Sequence, residues 1–266
     1  APVKQLIVQE QQVTGVLLEN GKTLAADLFV GNADLPYIYR QLLPDSDEAK
    51  QLEKKKYTCS TIMFYWGVDK RYPQIDHHNV FLSNDYKSSF DTIFDQHNLP
   101  DEPSFYIHAP ARTDPSAAPE GQDTLYVLVP VGHLDDNGSQ DWQSMVERAR
   151  KTVFERIDRQ LGIKDLREHI KFETVYTPLD WQEKFNLVKG AAFGLSHNFL
   201  QVGYLRPQNR HAHYKNLYFS GASTHPGTGL PIVLLSAKLT TERILKEFGL
   251  YNKERVKQPA HLIGES

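Results

Sequence analysis

The residues whose types and spacing could do chemistry lie together in Asn216-Leu217-Tyr218-Phe219-Ser220-Gly221-Ala222-Ser223-Thr224-His225-Pro226-Gly227-Thr228-Gly229-Leu230-Pro231. Leu217 to Phe219 is an apolar run that suits a strand. Gly221, Gly227 and Gly229 allow close backbone approach, Pro231 suits a first helical turn, and Ile232 to Ile244 continue as helix. A strand that delivers a glycine-rich turn to a helix start presents N–H groups carrying partial positive charge. Such a start suits an anion or the electron-rich edge of a ring, which is how a cofactor is held. Between Gly221 and Pro231 the one side chain that titrates near neutral pH is His225.

The elements that must position this turn follow from periodicity. Val3 to Val8 and Val13 to Leu18 alternate as strands, and an Asn-Gly turn at Glu19-Asn20-Gly21-Lys22 leads into a third strand, Thr23 to Val30, predicting a three-strand meander. Residues 35–56 are expected to be helical. Thr58 to Val68, Asn79 to Leu82, Ser104 to Ala109 and Thr124 to Val131 are expected strands, with a loop over the Pro- and Gly-containing residues 110–123. The clearest helix is 139–161, where Trp142, Met145, Val146, Ala149, Val153, Phe154, Ile157 and Leu161 recur at three- and four-residue spacing and mark a core-facing stripe. Ser139 is its expected cap, Gly162 its stop, and Glu147–Lys151 and Glu155–Arg159 its expected i,i+4 pairs. Ile170 to Tyr176 forms a further strand and Pro178 to Phe185 a short helix. Residues 186–210 are a loop-rich return.

Composition narrows the function classes. With 40% hydrophobic and 24% charged residues the chain can bury a sizeable core, and a formal charge of −3 gives no basic footprint for nucleic acid. The single Cys59 excludes an intramolecular disulfide and a cysteine zinc cluster. The apolar run Leu230 to Ala237 falls far short of the ~20 residues a spanning helix requires. His77-His78 and His211-x-His213 lack partners at ligand spacing, so no metal is expected; Ser220-Gly-Ala-Ser223 is no nucleophile elbow.

The ordered string GASTHPGTGLP followed by Ser236-Ala237-Lys238 resembles the C-terminal signature of carotenoid desaturases, the phytoene desaturase family of FAD-dependent oxidoreductases. Gly190-Ala191-Ala192-Phe193-Gly194-Leu195 and Tyr204-Leu205-Arg206-Pro207-Gln208-Asn209-Arg210 are similar to the two blocks that precede it, and Asn32-Ala33-Asp34 to the family's "SNAD" element. The resemblance is dense at 188–246, moderate at 1–45 and thin between about 70 and 180.

By resemblance, Gly221, Ala222, Gly227, Thr228, Gly229, Leu230 and Pro231 contact FAD, and Asn32-Ala33-Asp34 lies near the site. His225 is the candidate for polarising the flavin or handling a proton, beside a purely positional role. Arg206 and Arg210 are candidates for balancing flavin charge or meeting a quinone, beside the simpler reading as surface arginines flanking Pro207. Ala222 departs from related flavoproteins, many of which place an acidic residue there to bind the ribityl chain. Backbone N–H groups would serve instead.

The chemistry of desaturation explains the need for such a site. Removing two hydrogens from an unactivated hydrocarbon requires a hydride or electron acceptor that no side chain supplies. A helix start aimed at the flavin would favour its reduced anionic form by ~0.3–2 kcal/mol. The resemblance implies a carotene precursor as substrate, oxygen or a quinone as electron acceptor, and a cytoplasmic enzyme docked peripherally on a membrane surface. Tyr57, Phe64, Trp66, Phe81, Phe105 and Tyr106 are aromatic material for an apolar tunnel, and an ordinary sheet core explains them equally well.

The expected fold is α/β: a partial Rossmann-like FAD-binding domain (1–34 and 205–250) with an inserted α+β substrate domain of mixed sheet plus helix (35–204), and a loose tail at 251–266. No Gly-x-Gly-x-x-Gly follows a strand anywhere in the chain. The chain is therefore expected to be the C-terminal part of a longer desaturase, inactive by itself. A carotenoid isomerase, a ketolase, a retinol-saturase-like flavoprotein and a non-catalytic apolar-lipid-binding or interaction module remain alternatives.

Overall fold

A computed structural model describes residues 1–43, 47–134 and 138–250. It opens with β1 (Val3–Gln9) and β2 (Gln12–Leu18), paired antiparallel, and β3 (Thr23–Ala25) adds to β2. The Asn-Gly turn lies as expected, with Gly21 at φ 82° and Asn20 Oδ1 accepting from the Lys22 N–H at 3.1 Å. The third strand does not run on to Val30. Asn216 stops it: its side-chain oxygen accepts from the Val13 N–H at 3.0 Å, while its Nδ2 donates to the carbonyls of Val13 at 2.8 Å and Asp27 at 3.0 Å. These groups are thereby taken from the meander, and β4 (Phe29–Gly31) leaves to pair elsewhere.

The helix expected over 35–56 is shorter and broken. The helical turn α1 (Leu35–Tyr37) widens into a π turn at Ile38–Leu42, and α2 covers Asp47–Glu53. There follow β5 (Ser60–Val68), β6 (His78–Phe81), α3 (Tyr86–Phe94), β7 (Phe105–His108), β8 (Asp123–Val131), α4 (Trp142–Leu161), α5 (Leu166–His169), β9 (Ile170–Tyr176) and α6 (Pro178–Phe185). The five strands form one antiparallel sheet in the order β6-β7-β8-β5-β9.

Alternation sends Ile62, Phe64, Trp66 and Val68 of β5, with Leu125, Val127, Val129 and Val131 of β8, into one core. The stripe of α4 closes it: Trp142, Met145, Val146, Ala149, Val153 and Ile157 are buried, and Phe154 stacks on Trp66 at 5.1 Å. Gly162 ends α4 in the left-handed conformation, as expected. Its start is corrected by two residues, because Asp141 rather than Ser139 accepts from the Ser144 N–H at 3.0 Å. The expected charge pairs also rearrange. Glu147 pairs with Arg150, Lys151 with Glu155, and Arg159 reaches Glu102 at 2.9 Å.

The chain returns through short 3-10 turns to β10 (Leu217–Phe219) and α7 (Leu230–Glu247). β10 lies parallel to β4, Leu217 opposite Phe29 and Phe219 opposite Gly31, so the two ends of the chain share one sheet. Two units result, Ala1–Ser46 with Phe199–Ser266, and Asp47–Asn198. The α/β class with a mixed sheet-plus-helix portion is as expected. The proposed tail at 251–266 lies outside the described residues. No helix among the described residues is long and apolar enough to cross a membrane.

Candidate functional site

The glycine turn is bound into its unit by a hydrogen-bonded hub. β10 delivers it and α7 receives it, with Pro231 in the first helical turn, as the sequence predicts. Asn32 donates from Nδ2 to the Ser220 carbonyl at 3.0 Å, and the Ser223 hydroxyl donates to Asp34 at 2.5 Å, so the segment after β4 is tied to the turn at two points. Ser236, fully buried on α7, donates to the His225 carbonyl at 2.9 Å and lies 3.1 Å from both Thr224 Oγ1 and Asn209 Nδ2. Asn209 also donates to the carbonyls of His225 at 2.8 Å and Phe219 at 3.3 Å.

Arg206 is the largest departure from expectation. It is not a surface residue: it is 1% exposed and donates to the carbonyls of Thr224 at 3.0 Å, Gln201 at 3.1 Å and Ala222. Burial pulls its pKa down to about 10, so it is still charged at neutral pH. The turn's carbonyls are thus gathered inward on a guanidinium, whose planar fork spans several acceptors at once. Arg210 does reach the surface, where it pairs with Glu247 at 3.0 Å. Glu247 in turn accepts from the buried Tyr218 hydroxyl at 2.6 Å. Burial, reinforced by Glu247, pushes the Tyr218 phenol up to about 12. Burial works against the Glu247 carboxylate too, but Tyr218 and Arg210 outweigh it and hold its pKa below the ordinary value.

With the carbonyls engaged inward, Gly221 and Gly229 face open space, while Gly227 is buried. Gly221, Gly227 and Gly229 have φ of 140°, 152° and 106°. A side chain built at Gly221 or Gly229 would meet nothing nearer than 3.8 Å. Gly229 precedes α7 without any side-chain cap on the helix start, and Leu230 is 79% exposed beside it. Backbone N–H groups at an uncapped helix start can accept an anion or a ring edge. Ala222 and Thr228 lie in the same turn. His225 is half-buried, its N–H donating to the Pro207 carbonyl at 2.8 Å and its Nδ1 3.3 Å from the Gly203 carbonyl.

The aromatic residues expected to line a tunnel divide between two faces of the five-stranded sheet. Phe64, Trp66, Phe81 and Phe105 lie in the core beneath α4, and Tyr57 is buried with its hydroxyl donating to the Leu52 carbonyl at 3.1 Å. Only Tyr106 is on the other, half-exposed face. There it accompanies residues the sequence did not single out: Tyr65 contacts Tyr126 at 5.3 Å and Tyr176 at 5.7 Å, and Leu128 lies opposite Tyr106. The odd positions of β5 and even positions of β8 make this face. Strand alternation carried the signal, but only cross-strand register identifies the partners.

Among the histidines, His211 caps a turn, its Nδ1 accepting from the N–H groups of His213 and Tyr214 at 3.0 Å each. His77 and His78 gain a neighbour the sequence did not offer, His108, which stands opposite His78 in the β6–β7 pair.

No family model matches the chain. Among curated proteins it is 46% identical over 261 residues to the phytoene desaturase of Fusarium fujikuroi, covering 91% of this chain and 46% of that protein. It is 49% identical over 247 residues to a zeta-carotene-forming phytoene desaturase of Myxococcus xanthus, covering 92% of this chain and 47% of that protein. The chain therefore spans about half the length of the curated relatives it matches. Among solved structures, an oxidoreductase from Methanosarcina mazei is similar with a TM-score of 0.56 at 15% identity, covering 90% of this chain and 48% of that one. A redesigned putrescine oxidase variant has a TM-score of 0.53 at 13% identity, covering 92% and 48%. These two support the fold alone.

Proposed function

Over the half of their length that it spans, the chain belongs to the family of the phytoene desaturases, and we propose that the full-length protein is an FAD-dependent oxidoreductase that introduces double bonds into phytoene or a related polyisoprenoid. The observation that carries the proposal is the glycine turn: Gly221 and Gly229, with open space around them, lead into a helix start that no side chain caps. That geometry fits a flat, electron-rich cofactor edge. When bound, FAD would accept the hydride that no side chain can accept.

The chain's own residues would do the rest. Gly221, Ala222, Gly227, Thr228, Gly229, Leu230 and Pro231 would line one edge of the cofactor, with backbone N–H groups donating to it except at Gly221, whose N–H goes to the Ser236 hydroxyl, and at Pro231, which has none. Arg206, Asn209 and Ser236 would keep those groups pointed outward by holding the carbonyls inward. His225 would polarise the site or hold a proton. Since the chain carries no Gly-x-Gly-x-x-Gly, the proposal assigns the cofactor's pyrophosphate to residues outside these 266, and the excised chain would be inactive.

A hydrocarbon substrate offers nothing for polar groups to grip. The half-exposed face of Tyr65, Tyr106, Tyr126, Leu128 and Tyr176 supports the reading that an apolar polyene lies against the sheet. Drawing such a chain from lipid gains none of the ~0.8 kcal/mol per methylene released on leaving water, so shape must select it. Peripheral membrane docking is part of the proposal, and the exposed Tyr86, Phe90 and Phe94, spaced by four along α3, support it. Oxygen or a quinone would reoxidise the flavin.

Incubating the full-length protein with phytoene, FAD and each acceptor in turn tests the reading. A product two or more hydrogens lighter, with a longer conjugated system, is expected. A product of unchanged mass with altered double-bond geometry would replace desaturation by isomerisation, and added oxygen would indicate a ketolase.

A further inference from the structure

β6 and β7 bring His108 to the adjacent pair His77 and His78, from which it is 30 residues away in sequence. His78 and His108 are register partners, and His77 lies just ahead of β6. One ring nitrogen from each lies within 4.8 Å of the other two, the one such group of histidine, cysteine or acidic residues among the described residues. His77 Nε2 faces His108 Nε2 at 2.9 Å.

Hydroxyl groups orient two of the rings. His77 Nδ1 is hydrogen-bonded to Thr113 Oγ1, and His78 Nδ1 to the Tyr106 hydroxyl at 2.6 Å. When each Nδ1–H donates to its hydroxyl oxygen, the Nε2 lone pairs of His77 and His78 are left to bind. Partners of this kind fix the tautomer and ring orientation of metal-bound histidines.

We propose that His77, His78 and His108 form a binding site for a divalent transition metal, zinc foremost, with water completing the coordination. Imidazole suits zinc and its neighbours in the first transition row, and a calcium or magnesium ion would require oxygen ligands that this cluster does not supply. Two nitrogens bound tetrahedrally at zinc distances stand about 3.3 Å apart, so the 2.9 Å separation of His77 and His108 has only to open by a few tenths of an ångström. The exposed His78 ring swings in as the third ligand. The proton shared between the two facing nitrogens moves to His108 Nδ1 or to solvent. The bound ion would tie β6, β7 and the segment before β6 together at one end of the five-stranded sheet. The site is independent of the proposed flavin chemistry.

Isothermal titration of zinc chloride into the purified protein tests it, with His108→Ala, His78→Ala and His213→Ala in parallel. One equivalent of zinc is expected, weakened at least tenfold in both of the first two variants and unchanged in the third. His78 is exposed, so its variant retains the fold even if His108→Ala does not. The thermal midpoint of the wild type should rise in zinc and that of His78→Ala should not. No binding with zinc in excess, or binding that neither His78→Ala nor His108→Ala weakens, would overturn the site.

Discussion

Arg206 shows how one buried side chain can set the shape of the glycine turn. Its three carbonyl partners come from the turn and the segment before it, and each loses its guanidinium donor in Arg206→Ala. At about 1–3 kcal/mol per stranded group, a loss of about 3 kcal/mol or more is expected in a urea unfolding series. Arg206→Lys should recover only part of it, because a compact ammonium cannot span the same acceptors. His225 makes a different prediction. In the full-length protein, His225→Ala is expected to slow flavin reduction or reoxidation more than it lowers FAD content; equal losses would make its role structural. The sequence suggested a surface role for Arg206, since an arginine beside Pro207 in a polar stretch has the composition of a surface loop. Its burial depends on carbonyls 16 and 18 residues away, which no local pattern reveals.

The strand-turn-helix unit was legible in the sequence because its signals are local: an apolar run, glycines, and a proline at a helix start. Gly229 shows how strict they are. Its φ of 106° with ψ 143° lies in a region that only glycine occupies readily, and space is open around it, so Gly229→Ala isolates the backbone cost at about 1–3 kcal/mol. The same substitution should weaken FAD binding by the full-length protein, read by flavin fluorescence. What local signals could not give is pairing. Thr23 to Val30 alternates like one strand, yet the buried Asn216, nearly two hundred residues on, breaks it and frees β4 to join β10. Likewise α3 went unseen, because Tyr86, Phe90 and Phe94 keep helical spacing without a buried face.

The joint between β10 and α7 also carries a pH dependence. Tyr218 keeps its proton in the folded state up to about pH 12, against 10 as the ordinary value, while the unfolded chain gives it up sooner. The folded state therefore binds more protons between these values, and stability falls as pH rises through that window. Glu247 acts at the other end, its folded pKa held below 4.5, so its contribution is present above that value and lost as pH falls through the lower one. Tyr218→Phe should flatten the alkaline limb of a stability–pH profile and weaken the acid limb.

At the scale of the whole molecule, the proposed function would divide between the two units. The unit formed by the chain's two ends supplies the glycine turn, and the five-stranded sheet offers an aromatic face suited to a hydrocarbon. That division was partly legible: the signature motifs at the C-terminal side and the alternating strands between them were visible, whereas the aromatic face emerged only once cross-strand register fixed which tyrosines stand together. The measurement that tests the central claim most directly is anaerobic addition of phytoene to the flavin-loaded full-length protein, followed by visible absorbance. Bleaching of the oxidised flavin, in step with the appearance of a longer polyene, is the predicted result. Bound flavin that stays oxidised while phytoene is unchanged or only isomerised would contradict it, as would a full-length protein that binds no flavin.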